Sequence, residues 1–160
     1  MKIGSYIYNG KASYGVKLDD GIVDLGRRLG KFYPDLPTLI KAFALGEAAE
    51  ASRNQSPDFR EEDVYFLPLM PAPVNIYCAG INYLDHIEEM KSVVSASPLL
   101  FLKPKAALCD MGKPLSIPTD QGECHNELEV AVLLKHAVSK ATEDEVLAAI
   151  WGIGLGLDLT

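Results

Sequence analysis

A chain of 160 residues, 48% hydrophobic and 23% charged, has room for one domain with a real core or a small domain plus part of another, in the balance of an ordinary globular protein. Its formal net charge of −7 argues against nucleic acid or an anionic membrane surface as partner, since both need a basic face. No apolar run approaches the length of a membrane span, and the N-terminus lacks the basic-then-apolar pattern of a secretory signal. Cys78, Cys109 and Cys124 are odd in number and have no C-x-x-C spacing, so reduced thiols and a cytoplasmic location are expected.

Residues 1–25 read as a β-meander. Ile3, Tyr6 and Tyr8 lead to the hairpin signal Asn9-Gly10, and Tyr14, Val16 and Leu18 lead to a second turn at Asp19-Asp20-Gly21. Asp35 is placed to cap a helix with the apolar stripe Leu36, Leu39, Ile40 and Phe43, with Gly46 as its stop or bend. A polar loop over 51–62 and a short strand at 64–67 follow, and Pro68, Pro71 and Pro73 then interrupt regular structure. A boundary near Pro71 divides a small N-terminal α+β domain, 1–70, from a second segment, 71–160, that carries the chemistry.

In that segment 74–79 reads as a strand ended by Gly80, and a short helix runs from Tyr83 to about Met90. Leu99 to Leu102 form a buried strand stopped by Lys103-Pro104, and 115–118 is a short extended piece. His125-Asn126-Glu127-Leu128-Glu129 opens an apolar run to Leu134 that reads as another buried strand. Thr142-Glu143-Asp144-Glu145 is a capping box for a helix with Val146, Leu147, Ile150 and Trp151 on one side. The chain closes on a strand with alternate glycines, 152–158, which delivers Asp158. Those glycines follow a helix, which excludes a nucleotide-binding G-x-G-x-x-G and suggests close approach of a backbone or ligand.

Alternation along a strand puts Glu127 and Glu129 on one face, about 7 Å apart. Two acids leading into a buried strand repel each other and are costly to desolvate unless a cation joins them, and hard cations such as Mg²⁺ or Mn²⁺ prefer carboxylate oxygens. The plain alternative is a solvated strand end. On the short helix, His86 and Glu89 are three apart and can touch, as a general base and the carboxylate that orients it; an incidental surface pair is the alternative. Lys103 can reach into a cleft to hold an anionic group, or can snorkel at a sheet edge. His125 reads as a supporting polar residue and His136 as a solvent-facing loop residue.

Taken in order, Gly80-Ile81-Asn82-Tyr83, His86-x-x-Glu89, Phe101-Leu102-Lys103-Pro104, Ile117-Pro118, His125-x-Glu127-x-Glu129 and Asp158-Leu159-Thr160 resemble the fumarylacetoacetate hydrolase family, in its acylpyruvate hydrolase and oxaloacetate decarboxylase-like branch. The resemblance runs from about Val74 to Thr160. It implies an α+β fold with a mixed β-roll. It implies Mg²⁺ or Mn²⁺ on Glu127, Glu129 and Asp158, a catalytic dyad of His86 and Glu89, and substrate binding by Lys103. It further implies a small anionic 2-oxo acid substrate and a homodimer in the full-length protein. Two positions depart from the family pattern: His125-Asn126-Glu127 replaces His-His-Glu, and Gly80-Ile81-Asn82-Tyr83 replaces Gly-Arg-Asn-Tyr, which bears on specificity more than on metal binding. Family members continue well past Asp-x-Thr, so the remainder of the β-roll is expected to lie outside these 160 residues.

The activity implied is hydrolysis of the C–C bond of acylpyruvates, with water activated by His86, or decarboxylation of oxaloacetate through the same enolate without that water. An isomerase or hydratase of hydroxymuconate-type dienoates, and a non-catalytic relative with an incomplete site, remain as alternatives.

Overall fold

The protein is described from a computed structural model that covers residues 1–68, 70, 75–89, 91, 97–118, 120 and 122–160, with His86 described by its backbone alone. The N-terminal meander forms as expected. Strands β1 (Lys2–Tyr8), β2 (Lys11–Lys17) and β3 (Ile22–Asp24) pair antiparallel, and β4 (Tyr65–Phe66) adds to the other edge of β1, giving the order β3-β2-β1-β4. Asn9 and Gly10 both have positive φ, 48° and 74°, as a two-residue primed turn requires. Gly21 is demanded by close approach, since a Cβ there would lie 2.3 Å from the Phe59 carbonyl oxygen, which accepts from the Ile22 amide.

Three helices cover this sheet: α1 (Leu25–Leu29), α2 (Leu36–Lys41) and α3 (Leu45–Ser52). Asp35 caps α2, its carboxylate accepting from the Thr38 amide at 2.8 Å. Leu36, Leu39 and Ile40 are buried with Tyr14, Val16, Leu25, Ala44 and Ala48 in one core. Phe43 departs from the expected stripe. The helix closes at Lys41, Phe43 takes φ of 56°, and its ring is exposed. Gly46 is likewise no stop, since it lies in the first turn of α3. Burial pushes the Tyr14 phenol up to about 12, and its hydroxyl donates to the Tyr33 carbonyl at 2.5 Å.

The expected boundary at Pro71 lies outside the described residues. Beyond it the strands come in pairs. Strand β5 (Ile76–Gly80) pairs antiparallel with β6 (Leu99–Lys103), and α4 (Leu84–Glu89) lies on the connection between them. Strand β7 (Asn126–Leu134) pairs antiparallel with β8 (Ile150–Leu159), and α5 (Glu143–Ala149) connects them, opened by the Thr142–Glu145 capping box. Residues 115–118 are in no strand.

Two expectations are corrected here. Helix α5 ends at Ala149, so Ile150 and Trp151 belong to β8; both residue types favour strands, and Ile150 already has extended backbone. Leu133 pairs with Gly152 and Leu134 with Ile150, which leaves Trp151 as the extra residue of a bulge, packed with Leu133 against the N-terminal core. The strands read as buried are largely exposed among the described residues. Leu99, Leu100, Phe101 and Leu102 all face solvent, as do Leu128, Val130 and Val132 on β7 and Ile153, Leu155 and Leu157 on β8.

Candidate functional site

The β7–β8 ribbon has two unlike faces. On one, Leu128 pairs with Leu157, Val130 with Leu155 and Val132 with Ile153, an apolar ladder. On the other, Glu127 lies directly opposite Asp158, and Glu129 lies opposite Gly156. Directly opposed residues place their Cβ atoms about 4.5–5.5 Å apart, so the register brings Glu127 and Asp158 together, with Glu129 one step along the same face. All three carboxylates are half-buried while their strand neighbours Leu128 and Leu157 are exposed. The expected spacing of the two glutamates holds, and the cross-strand register supplies the third acid, which a single strand cannot show.

Gly152, Gly154 and Gly156 share this acid face, and a Cβ on any of them would have no heavy atom within 4 Å. Packing among the described residues therefore does not require glycine there. Among the described residues, no side chain comes within 4 Å of a Cβ placed at these glycines beside the acids.

Lys103, the last residue of β6, reaches this face and its Nζ donates to Asp158 Oδ1 in an ion pair. The expected lysine thus arrives at the acids, carried by a different ribbon. Lys103 also lines a cavity of about 400 Å³ with Asn75, Ile76, Leu102, Pro104 and Lys105. Lys105 has one sequence signal, the Lys-Pro-Lys triplet, in which proline follows the strand end and leaves both lysines at its exit.

Helix α4 carries His86 and Glu89 three residues apart on the link between β5 and β6. The His86 side chain lies outside the described set, so their contact with the acids is not part of the geometry. His125 is exposed, with Nε2 3.8 Å from Glu123, while its backbone closes the ribbon end through two hydrogen bonds with Thr160. His136 is exposed in the turn after β7, its ring 6.4 Å from that of Phe43.

The donor set suits a hard divalent cation in kind: three carboxylates, no sulfur, one face, with open space beside them. It is not pre-assembled. Among the described residues no group of three His, Cys, Asp or Glu side chains stands close enough to hold a metal ion, and Asp158 is engaged by Lys103. Closing on a cation takes side-chain rotation. Among the described residues no helix is long and apolar enough to cross a membrane.

Comparison with known proteins bears on the same segment. The model of the fumarylacetoacetate hydrolase C-terminal domain matches residues 75–160, which include every candidate residue above. Oxaloacetate tautomerase YcgM of Escherichia coli K12 is 50% identical over 93 residues, 58% of this chain and 42% of that protein. A fumarylacetoacetate hydrolase family protein from Yersinia pestis CO92 is 49% identical with a TM-score of 0.53, over 57% of this chain and 43% of that one. Maleylpyruvate hydrolase from Sphingobium sp. SYK-6, crystallised with manganese(II) and pyruvate, is 24% identical with a TM-score of 0.78, over 100% of this chain and 59% of that one. This last likeness shows the mixed α+β fold. The chain thus spans less than two thirds of the length of each of these proteins.

Proposed function

The chain belongs to the fumarylacetoacetate hydrolase family, and from that premise we propose that it acts on a small 2-oxo acid of the oxaloacetate or acylpyruvate type through an enolate. The observation that carries the reading is the register that sets Asp158 against Glu127, with Glu129 beside them, inside the family's matched segment. Keto–enol tautomerisation of oxaloacetate is the leading reaction, supported by the half-identical tautomerase. Cleavage of the C–C bond of an acylpyruvate is the second reading, supported by the hydrolase family itself.

Glu127, Glu129 and Asp158 would hold Mg²⁺ or Mn²⁺, which supplies Lewis-acid stabilisation of the enolate oxygen. The maleylpyruvate hydrolase crystallised with manganese and pyruvate fits this assignment. His86 serves as the general base, with Glu89 three residues on to fix its tautomer. In tautomerisation the imidazole moves one proton between carbon 3 and the 2-oxo oxygen, and no carbon–carbon bond changes. In hydrolysis the same imidazole takes a proton from water as it adds to the distal carbonyl. The C–C bond then breaks and its electron pair passes into the pyruvate enolate, which is protonated on carbon. Lys103 and Lys105, at the mouth of one cavity, meet the substrate carboxylates and offset the −7 charge that would otherwise repel a dianion.

The test follows decay of the enol absorbance of oxaloacetate in the ultraviolet, with pyruvate release from acylpyruvates in parallel. Saturable acceleration of enol decay that His86→Ala removes is expected. No acceleration of either reaction by the protein with Mg²⁺ or Mn²⁺ overturns the reading.

A further inference from the structure

We propose that Lys103 is a built-in counter-ion of the carboxylate face, and that a divalent cation binding there exchanges with the Lys103 ammonium on Asp158. This rests on the metal reading above and adds a control to it.

Three carboxylates share one face, and like charges directly opposed across a ribbon destabilise the pairing. Among the described residues, Lys103 is the cation that touches any of the three; Glu127 and Glu129 make no ion pair. The pair is shielded, with the two side chains only 26% and 19% exposed, so it is less screened by water than a surface bridge. Its Asp158 oxygen already accepts from an ammonium, and a cation approaching the same carboxylate is repelled by that charge.

Lys103 is also built to leave. It is attached to the β5–β6 ribbon, whereas the acids belong to β7–β8, so breaking the pair disturbs no hydrogen bond of either sheet ladder. Its four-carbon stem is flexible, and the cavity it lines with Asn75 and Lys105 gives the head group somewhere to go. Cation entry and lysine exit are then one equilibrium. The apparent affinity for the cation is lowered by the fraction of molecules in which Asp158 is occupied. The amine set free stands beside Lys105 for an anionic substrate, which places substrate binding after cation binding.

The probe is Mn²⁺ itself, titrated into the full 160-residue chain and followed by the electron paramagnetic resonance of the free ion. Lys103→Met, which keeps the stem and removes the charge, is expected to bind Mn²⁺ about tenfold more tightly than the parent chain. Lys103→Arg, which keeps the pair, is expected to bind no more tightly than the parent. In the unaltered protein, brief acylation with acetic anhydride read by mass spectrometry should label Lys103 several-fold more at saturating Mn²⁺, while the exposed Lys11 stays constant. If the parent binds Mn²⁺ and Lys103→Met binds equally or more weakly, Lys103 orients Asp158 and the exchange is refuted. Unchanged labelling of Lys103 at saturating Mn²⁺ refutes it as well. Failure of both parent and Lys103→Met to bind Mn²⁺ removes the metal reading, and the exchange with it.

Discussion

Leu39 and Leu155 are the same side chain in opposite circumstances. Leu39 is fully buried beneath the N-terminal meander, whereas Leu155 is 75% exposed on β8. The contrast extends to the regions around them. Residues 1–68 build a core through hairpins and short helices, with most partners near in sequence, and Leu133 and Trp151 pack against it from outside. Residues 75–160 carry the candidate chemistry, yet their strands stand in pairs with apolar ladders open to solvent. Strand patterning shows which face of a ribbon is apolar; whether that face is covered depends on what lies against it.

The largest effect expected from this contrast is therefore between those two leucines. Leu39→Ala should cost about 2–5 kcal/mol, the range for emptying a closed core, while Leu155→Ala should stay within about 0.5 kcal/mol. Chemical denaturation followed by far-ultraviolet circular dichroism measures both, and equal costs would erase the distinction between the regions.

Next in size is Asp58, which ties the N-terminal loop to the sheet. Its carboxylate accepts from the Asp24 amide at 2.8 Å and pairs with Arg27 and Arg28. Burial pushes its carboxyl up, but the bonds from Arg28 and the Asp24 amide outweigh that and hold it below the usual 3.8. A carboxyl depressed in the folded state contributes stability above its unfolded value and loses it as pH falls through its folded one. The N-terminal region should hold its stability down to about pH 4 and lose part of it below, and Asp58→Asn should flatten that acid limb. Asp58→Ala should cost about 2 kcal/mol at neutral pH.

A smaller effect sharpens the other side of the comparison. The open ladder of Leu128, Val130, Val132, Ile153, Leu155 and Leu157 should bind a hydrophobic dye such as anilinonaphthalene sulfonate. Leu155→Lys with Leu157→Lys should lower that fluorescence severalfold while leaving the N-terminal unfolding transition in place. Dye binding unchanged by the pair would show that another surface carries it. The smallest expected change is local: Thr142→Ala should cost about 1 kcal/mol in α5 by removing the capping box, read as lost helical signal.

What sequence could show follows the same division. Asn9-Gly10, Asp35 and Thr142 act through bonds to near neighbours, and each does in the structure what its residue type demands. Phe43 and Gly46 depart from the expected helix because the stop after Lys41 is a left-handed residue at Phe43, which no side-chain type there announces. Glu127 and Glu129 were legible as a pair because strand period is local. Their junction with Asp158 needs the register across thirty residues, and the resemblance to a family anticipated it where periodicity alone could not. The pairing of Lys103 with Asp158 joins two ribbons and left no local sign beyond a lysine at a strand end.

The central claim is that Glu127, Glu129 and Asp158 form one cation site. Isothermal titration of Mn²⁺ into the chain, into Glu127→Gln and into Asp158→Asn measures it, since each change removes a charge with little change of shape. One site is expected in the parent, with affinity at least about tenfold weaker in either variant. Equal Mn²⁺ affinity in all three proteins would contradict it.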